Sequence, residues 1–239
     1  MNQKNKQEGD VKSLFLFSSI CAIYYKMCYN TFVEKRDDTM YSLLIDTHDV
    51  DLLIALYKDD EVLDKELSNT SNHASKCMPI IDDLLSRNNL DVHKLNEIIV
   101  VIGPGSFTGV RIGATIGKML AYTLNIPIKT ITSLDMYAIS NVSESNKLVL
   151  IRDLKGAYGA FYTSDNKIID EAFYKSTDNL NEYLKDKEQY IISNEVDLNK
   201  VKLFVNNLEV INPHKVNPIY IKEIEANKDG KRIIEPRFF

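Results

Sequence analysis

Gly103-Pro104-Gly105-Ser106-Phe107-Thr108-Gly109-Val110-Arg111-Ile112-Gly113 joins the apolar run Glu97 to Ile102 (EIIVVI) to a stretch of helical spacing, Thr108 to Asn125. A continuous apolar run of that length reads as a strand covered on both faces, the mark of an α/β sheet. Glycines in the turn that follows permit positive φ and close backbone approach. Amides opening the next helix can accept an anion, and the Ser106 and Thr108 hydroxyls and the Arg111 guanidinium would assist. Gly105, Ser106, Thr108 and Arg111 are therefore a candidate anion or nucleotide contact. The loop is not a Walker motif, because no Gly-Lys-Ser/Thr follows, and its spacing fails the dinucleotide fingerprint.

A second reading weighs more. Gly109, Gly113, Gly117 and Ala121 recur at i+4 and form one ridge of the helix. Each interior glycine costs ~1 kcal/mol relative to alanine, so several in one helix imply a packing reason. A smooth ridge lets another helix approach closely, within the chain or between chains. Ile112, Ile116, Met119 and Leu120 are then expected against the sheet.

Outward from this segment the pattern is regular. Tyr41 to Asp46, Leu52 to Tyr57 and Glu61 to Leu67 are β-rich runs separated by Asp-rich turns, predicting three antiparallel strands. Asn72 to Arg87 has helical spacing, with Pro79 expected to kink it or reset its first turn. Ile126 to Ile131 reads as a strand and Ser133 to Ser140 as a helix, with Thr132 and Asp135 placed as a capping box. The same order restarts at Lys147: strands at Lys147 to Arg152, Tyr158 to Thr163 and Lys167 to Tyr174, a helix around Asp178 to Lys185, and a strand at Gln189 to Ser193. The pattern weakens after Asn194. The expected divisions are an extension over 1–39, a first lobe over 40–142, a shortened second lobe over 143–226 and a solvated tail over 227–239.

The 239 residues, 44% hydrophobic, suffice for one large domain or two small ones. A formal charge of -5 argues against a broad basic surface for nucleic acid. Cys21, Cys28 and Cys77 are too few and too scattered for a disulfide framework, which fits a cytoplasmic protein. Residues 13–25 (SLFLFSSICAIYY) form an uncharged apolar run, shorter than the ~20 residues a spanning helix needs, and no small-x-small cleavage pattern follows it. Met40 stands directly before the first strand and reads as the true start, the alternative being a genuine anchor over residues 13–25; on the first reading no membrane association is expected.

GPGSFTGVRIG resembles the signature of the TsaB (YeaZ) family, part of the actin-like, Hsp70-like and sugar-kinase-like superfamily. Leu44-Ile45-Asp46-Thr47 resembles the family's opening strand, His73 to Pro79 (HASKCMP) its His-Ser helix, Ile126 to Leu134 its Pro-strand-Ser-Leu step, and Asn217 to Ile221 (NPIYI) its closing Pro-x-Tyr-Leu. The resemblance implies an α/β fold of the actin-like, Hsp70-like ATPase (RNase H-like) type with two tandem lobes, the second truncated. It implies a non-catalytic subunit that binds a TsaD-like catalytic subunit, with a TsaE-like ATPase in the same complex, for threonylcarbamoyl transfer to the anticodon-adjacent adenosine of tRNA. Contact with tRNA would come only through the complex, and a homodimer would form when the partner is absent. No intrinsic cofactor is implied; ATP or ADP would belong at the shared complex interface. The family's interface helices correspond to Asn72–Arg87 and Thr108–Asn125, so His73, Cys77, Ile81, Gly109, Gly113, Gly117 and Ala121 are the expected partner interface.

The resemblance also places a His-x-x-x-His metal pair of the catalytic sister where this chain has Thr132-Ser133-Leu134-Asp135-Met136. His73 and Cys77 share a helix face and can in principle bind zinc, but no third ligand is in view, so no metal site is expected. Asp46 sits where superfamily kinases hold a metal-nucleotide carboxylate, yet His48-Asp49-Val50-Asp51 lacks the glycine that would admit phosphates. The family's Asp-Ala-Arg-Arg-Gly-Glu-Val-Tyr stretch is reduced here to Asp153-Leu154-Lys155-Gly156-Ala157-Tyr158. The competing reading is an ATPase, kinase or M22-like metallopeptidase that acts alone.

Overall fold

In the computed structural model the described residues are 39–70, 72–185, 190–192 and 195–221. The apolar run over 13–25, Cys21, Cys28 and the 227–239 tail lie outside them. The first lobe begins with an antiparallel meander, β1 (Tyr41–Asp46), β2 (Asp51–Lys58) and β3 (Glu61–Asn69), and continues with α1 (His73–Arg87), β4 (Leu95–Val101), α2 (Phe107–Leu124), β5 (Ile128–Ile131) and α3 (Ser133–Ser140). Its sheet has the order β3-β2-β1-β4-β5, with β1, β4 and β5 parallel. The second lobe comprises β6 (Lys147–Asp153), β7 (Gly156–Tyr162), β8 (Phe173–Ser176), α4 (Thr177–Leu184), β9 (Tyr190–Ile192) and α5 (Leu198–Asn206). Its sheet order, β8-β7-β6-β9, repeats the first one strand short, with the same strand senses. This is an α/β fold of two tandem lobes, the second the shorter, as expected.

Two elements differ from expectation. The strand expected over Lys167–Tyr174 forms only at Phe173–Ser176, Ile168 contributing a single bridge to Tyr162. Helix α5 forms beyond Asn194, where the sequence pattern was weak, and Asp197 caps it by accepting from the Lys200 amide.

The first sheet is covered on both faces. Leu43, Ile45, Leu52, Ile54, Leu56, Ile98 and Val100 meet α1 and α2, while Leu44, Leu53, Ala55, Tyr57, Ile99 and Val101 meet α3, α5 and the second sheet. The strands are apolar on both sides for that reason. One buried charge cluster ties the lobes. Glu97 on β4 accepts from Lys202 on α5 at 3.0 Å and pairs with Lys129 on β5 at 3.2 Å, and the Ser42 hydroxyl donates to the same carboxylate. Both lysines also donate to Asn206, Lys129 to its carbonyl and Lys202 to its side-chain oxygen.

The turn between β1 and β2 docks on α2 backbone to backbone. The Ser106 amide donates to the His48 carbonyl at 2.7 Å, and the Thr47 hydroxyl donates to the Gly109 carbonyl at 2.7 Å. A Cβ on Gly105 would strike the His48 carbonyl, one on Gly109 the Thr47 carbonyl, and one on Gly113 the Thr47 hydroxyl. Within the turn, Asp46 Oδ1 accepts from the His48 amide at 3.0 Å and pairs with His48 Nδ1 at 2.7 Å, both residues being buried. Burial alone would lower the His48 pKa, but the Asp46 charge and hydrogen bond, with Asp49 nearby, hold it above its ordinary 6.5.

Three outcomes follow from these contacts. Glu97→Gln leaves two ammoniums buried without their anion and should cost about 3–5 kcal/mol in denaturant unfolding; a change below about 1 kcal/mol would show that the cluster is not what ties the lobes. Gly109→Ala should lower stability by up to about 2 kcal/mol, because crowding a backbone carbonyl costs about 1–3 while better helix propensity returns ~1. A raised histidine pKa means that the His48 contribution is complete below the unfolded pKa of ~6.5 and is lost as pH rises through the folded value. The melting-temperature gap between the wild type and His48→Asn should therefore be widest on the acid side of that window and narrow towards alkaline pH.

Candidate functional site

A cleft of about 1270 Å³ is lined by the β1–β2 turn (His48, Asp49, Val50), by Gly105 to Gly109 at the start of α2, by the β6–β7 turn at Arg152 to Lys155, and by Tyr158, Tyr174 and Tyr220. The glycine turn is held in place from several sides. Gly103 adopts φ +95° and its carbonyl accepts from the Ser133 amide at 2.9 Å, the Ser133 hydroxyl donates to the Pro104 carbonyl, and the Ile219 amide donates to Ile102 at 2.8 Å. The Tyr158 hydroxyl reaches the Gly105 carbonyl at 3.4 Å.

Gly105, Ser106 and Thr108 of the candidate anion contact line this cleft together, while Arg111 is not among its lining residues. Ser106 spends its hydroxyl as the cap of α2, accepting from the Gly109 amide. Arg111 stacks over the Phe107 ring at 3.8 Å and donates through Nε to the Tyr220 hydroxyl at 2.7 Å. The glycines allow the close seating of the β1–β2 turn on the start of α2. Asp46 is likewise committed to His48, and beyond it the His48 ring packs edge-on against Tyr137 at 5.7 Å.

The expected partner interface needs correction. Gly109, Gly113, Gly117 and Ala121 face inward: besides the Thr47 contacts, a Cβ on Gly117 would strike Val100 of β4, and Ala121 is 1% exposed. The small ridge brings α2 close to its own sheet; of the larger residues expected there, Leu120 is buried in the same core and Ile116 packs against it, Ile112 is half-buried, and Met119 is exposed instead. His73, Cys77 and Ile81 are buried on α1, with His73 Nε2 within 2.9 Å of the Val50 carbonyl. Burial pushes the Cys77 thiol up to about 12, which leaves it unreactive as a thiolate at neutral pH. Among the described residues no group of three metal-ligating side chains comes together, and no helix is long and apolar enough to cross a membrane.

What α2 presents outward is a different stripe: Phe107, Arg111, Thr115, Met119 and Tyr122. At 100° per residue these positions fall within one third of the helix circumference, opposite the glycines. Met78 of α1 and Tyr220 are exposed as well. Tyr220 was the residue hardest to foresee, since nothing in the NPIYI segment says that its hydroxyl receives Arg111.

The family model for TsaD, tRNA N6-adenosine threonylcarbamoyltransferase, matches residues 65–211, more than half of the chain. The chain is 41% identical over 100 residues to the tRNA threonylcarbamoyladenosine biosynthesis protein TsaB of Bacillus subtilis, a match covering 41% of this chain and 44% of the relative. It is 32% identical over 95 residues to the Escherichia coli TsaB, covering 40% and 41%. The chain thus spans less than half the length of these curated relatives. A solved structure of YeaZ from Pseudomonas aeruginosa superposes with a TM-score of 0.62 at 17% identity, over 75% of this chain and all of the other, and shares the fold. By the family model and these relatives, the chain belongs to the TsaD-type threonylcarbamoyltransferase family, among its TsaB (YeaZ) members.

Proposed function

We propose that the chain is a non-catalytic subunit in the synthesis of threonylcarbamoyladenosine in tRNA, and that it works by binding a TsaD-like catalytic subunit. Family membership supports the pathway. One observation supports the non-catalytic role above others: Asp46, at the position of a superfamily kinase's metal-nucleotide carboxylate, is buried against His48 in a turn sealed onto α2. Opening that carboxylate to a metal-bound phosphate would break the pair and expel the histidine ring.

In this reading the partner meets α1 and α2 through their outward faces. Met78, Phe107, Met119 and Tyr122 are 37–66% exposed, and large apolar and aromatic side chains of this kind are what interface centres use. The glycine ridge contributes indirectly, by setting how α2 lies on the sheet. A TsaE-like ATPase joins the same complex, ATP or ADP sits at the interface shared with the partner, and tRNA is reached only through the complex. When the partner is absent, the same face pairs two copies of the chain.

The test is association of the purified chain with a TsaD-like transferase at micromolar concentration, followed by analytical ultracentrifugation. A stable heteromer is expected, and Met119→Glu combined with Tyr122→Glu should weaken it by at least tenfold with the melting temperature within a few degrees of wild type. Absence of any complex, or ATP hydrolysis or peptide cleavage by the isolated chain, would instead favour an enzyme acting alone.

A further inference from the structure

We infer that Arg111 is a pre-set clamp for a carboxylate of the protein partner. The inference rests on the proposed binding role and identifies the chemistry at its centre. The guanidinium is stacked over Phe107 at 3.8 Å, lies 5.5 Å from the Tyr220 ring, and donates through Nε to the Tyr220 hydroxyl at 2.7 Å. All three residues are exposed. Among the described residues, ion pairs are made by His48, Arg87, Lys129, Lys167, Lys200 and Lys202, and Arg111 is in none of them.

An arginine held this way has already lost most of its rotamer freedom, so engaging a ligand costs less ordering. With Nε bound to Tyr220, the terminal nitrogens remain to grip a planar anion, for which the guanidinium fork is shaped. The charge on its own helix has one sign. Phe107–Leu124 contains no Asp or Glu in a chain of formal charge -5. Its other cation, Lys118, is committed to the Val216 carbonyl at 3.0 Å. Arg111 also lies near the positive end of the helix dipole.

A protein carboxylate fits better than a nucleic-acid phosphate. Phosphate backbones are held by clustered cations, whereas here one cation stands in a stripe of Phe107, Met119 and Tyr122. That is the composition of a protein-docking centre with a single polar anchor.

The experiment measures the Kd of the full chain for a purified TsaD-like partner by titration calorimetry, at two salt concentrations. Arg111→Gln should weaken binding by about 10–100-fold and flatten its salt dependence. Arg111→Lys keeps the charge and loses the fork, and should fall between the two. Tyr220→Phe keeps the ring and removes the Nε acceptor, and should weaken binding a few-fold with the melting temperature unchanged. Charge reversal at Arg111 should be rescued by replacing one partner Asp or Glu with Arg. Binding by Arg111→Gln equal to wild type would overturn the clamp while leaving the proposed function standing. A deficit seen only when tRNA is added would assign the guanidinium to a phosphate and overturn it too. Failure of the wild type to bind would sink the proposed function and the clamp together.

Discussion

The structure depends on a backbone-to-backbone contact: the turn after β1 lies directly on the first turns of α2, with Thr47 and His48 where side chains of α2 would otherwise stand. Such an approach is open only to residues without a Cβ, and Gly105, Gly109 and Gly113 supply it. The contact fixes where β1 ends, which carbonyls line the cleft and how near α2 sits to β4. It also offsets the helix penalty of ~1 kcal/mol per interior glycine, because the alternative is a helix held off its sheet by a layer of side chains. A sequence that spends three glycines in one helix does so for distance.

That geometry divides α2 into two faces with opposite tasks. Inside, small residues let the backbone close on Val100 and Thr47; outside, Phe107, Arg111, Met119 and Tyr122 project from the same turns. Close seating on the inside makes the outer stripe rigid, since the helix cannot roll without driving its glycine face into a carbonyl. The Arg111 stack extends the rigidity to the closing segment, where Tyr220 is tied to α2 and the Ile219 amide to Ile102.

Much of the architecture was legible in the residues. β1, α1, α2 and α3 fall within a residue or two of their expected bounds, because apolar periodicity, Asp-rich turns and the Thr132–Asp135 cap act locally. The orientation of the α2 ridge was not legible. Gly109-Gly113-Gly117-Ala121 and Phe107-Arg111-Thr115-Met119 are both i+4 rows, and spacing alone does not say which row meets the sheet. The deciding fact is three-dimensional: the Thr47–His48 turn occupies the space over the glycines. Glu97, Lys129 and Lys202 were hidden for a similar reason. Each looks like an ordinary surface charge in its own element, and they become a buried cluster only when α5 crosses the first sheet. Helix α5 itself was missed because its pattern lies in Asn- and Lys-rich sequence, where Lys202 occupies a buried position that periodicity reserves for an apolar residue.

The inward ridge changes what a substitution on this helix can report. A bulky residue at Gly117 would collide with Val100 and shift α2 as a body, so lost partner binding would reflect displaced structure and not a removed contact. Substitutions at Met119, Tyr122 and Arg111 leave the seating of the helix alone, since their side chains point away from the sheet. Docking and folding are separable on this helix because the two rows are opposite. The family signature combines both rows in one string of residues: its glycines specify how the helix is held, and its arginine is what the held helix offers.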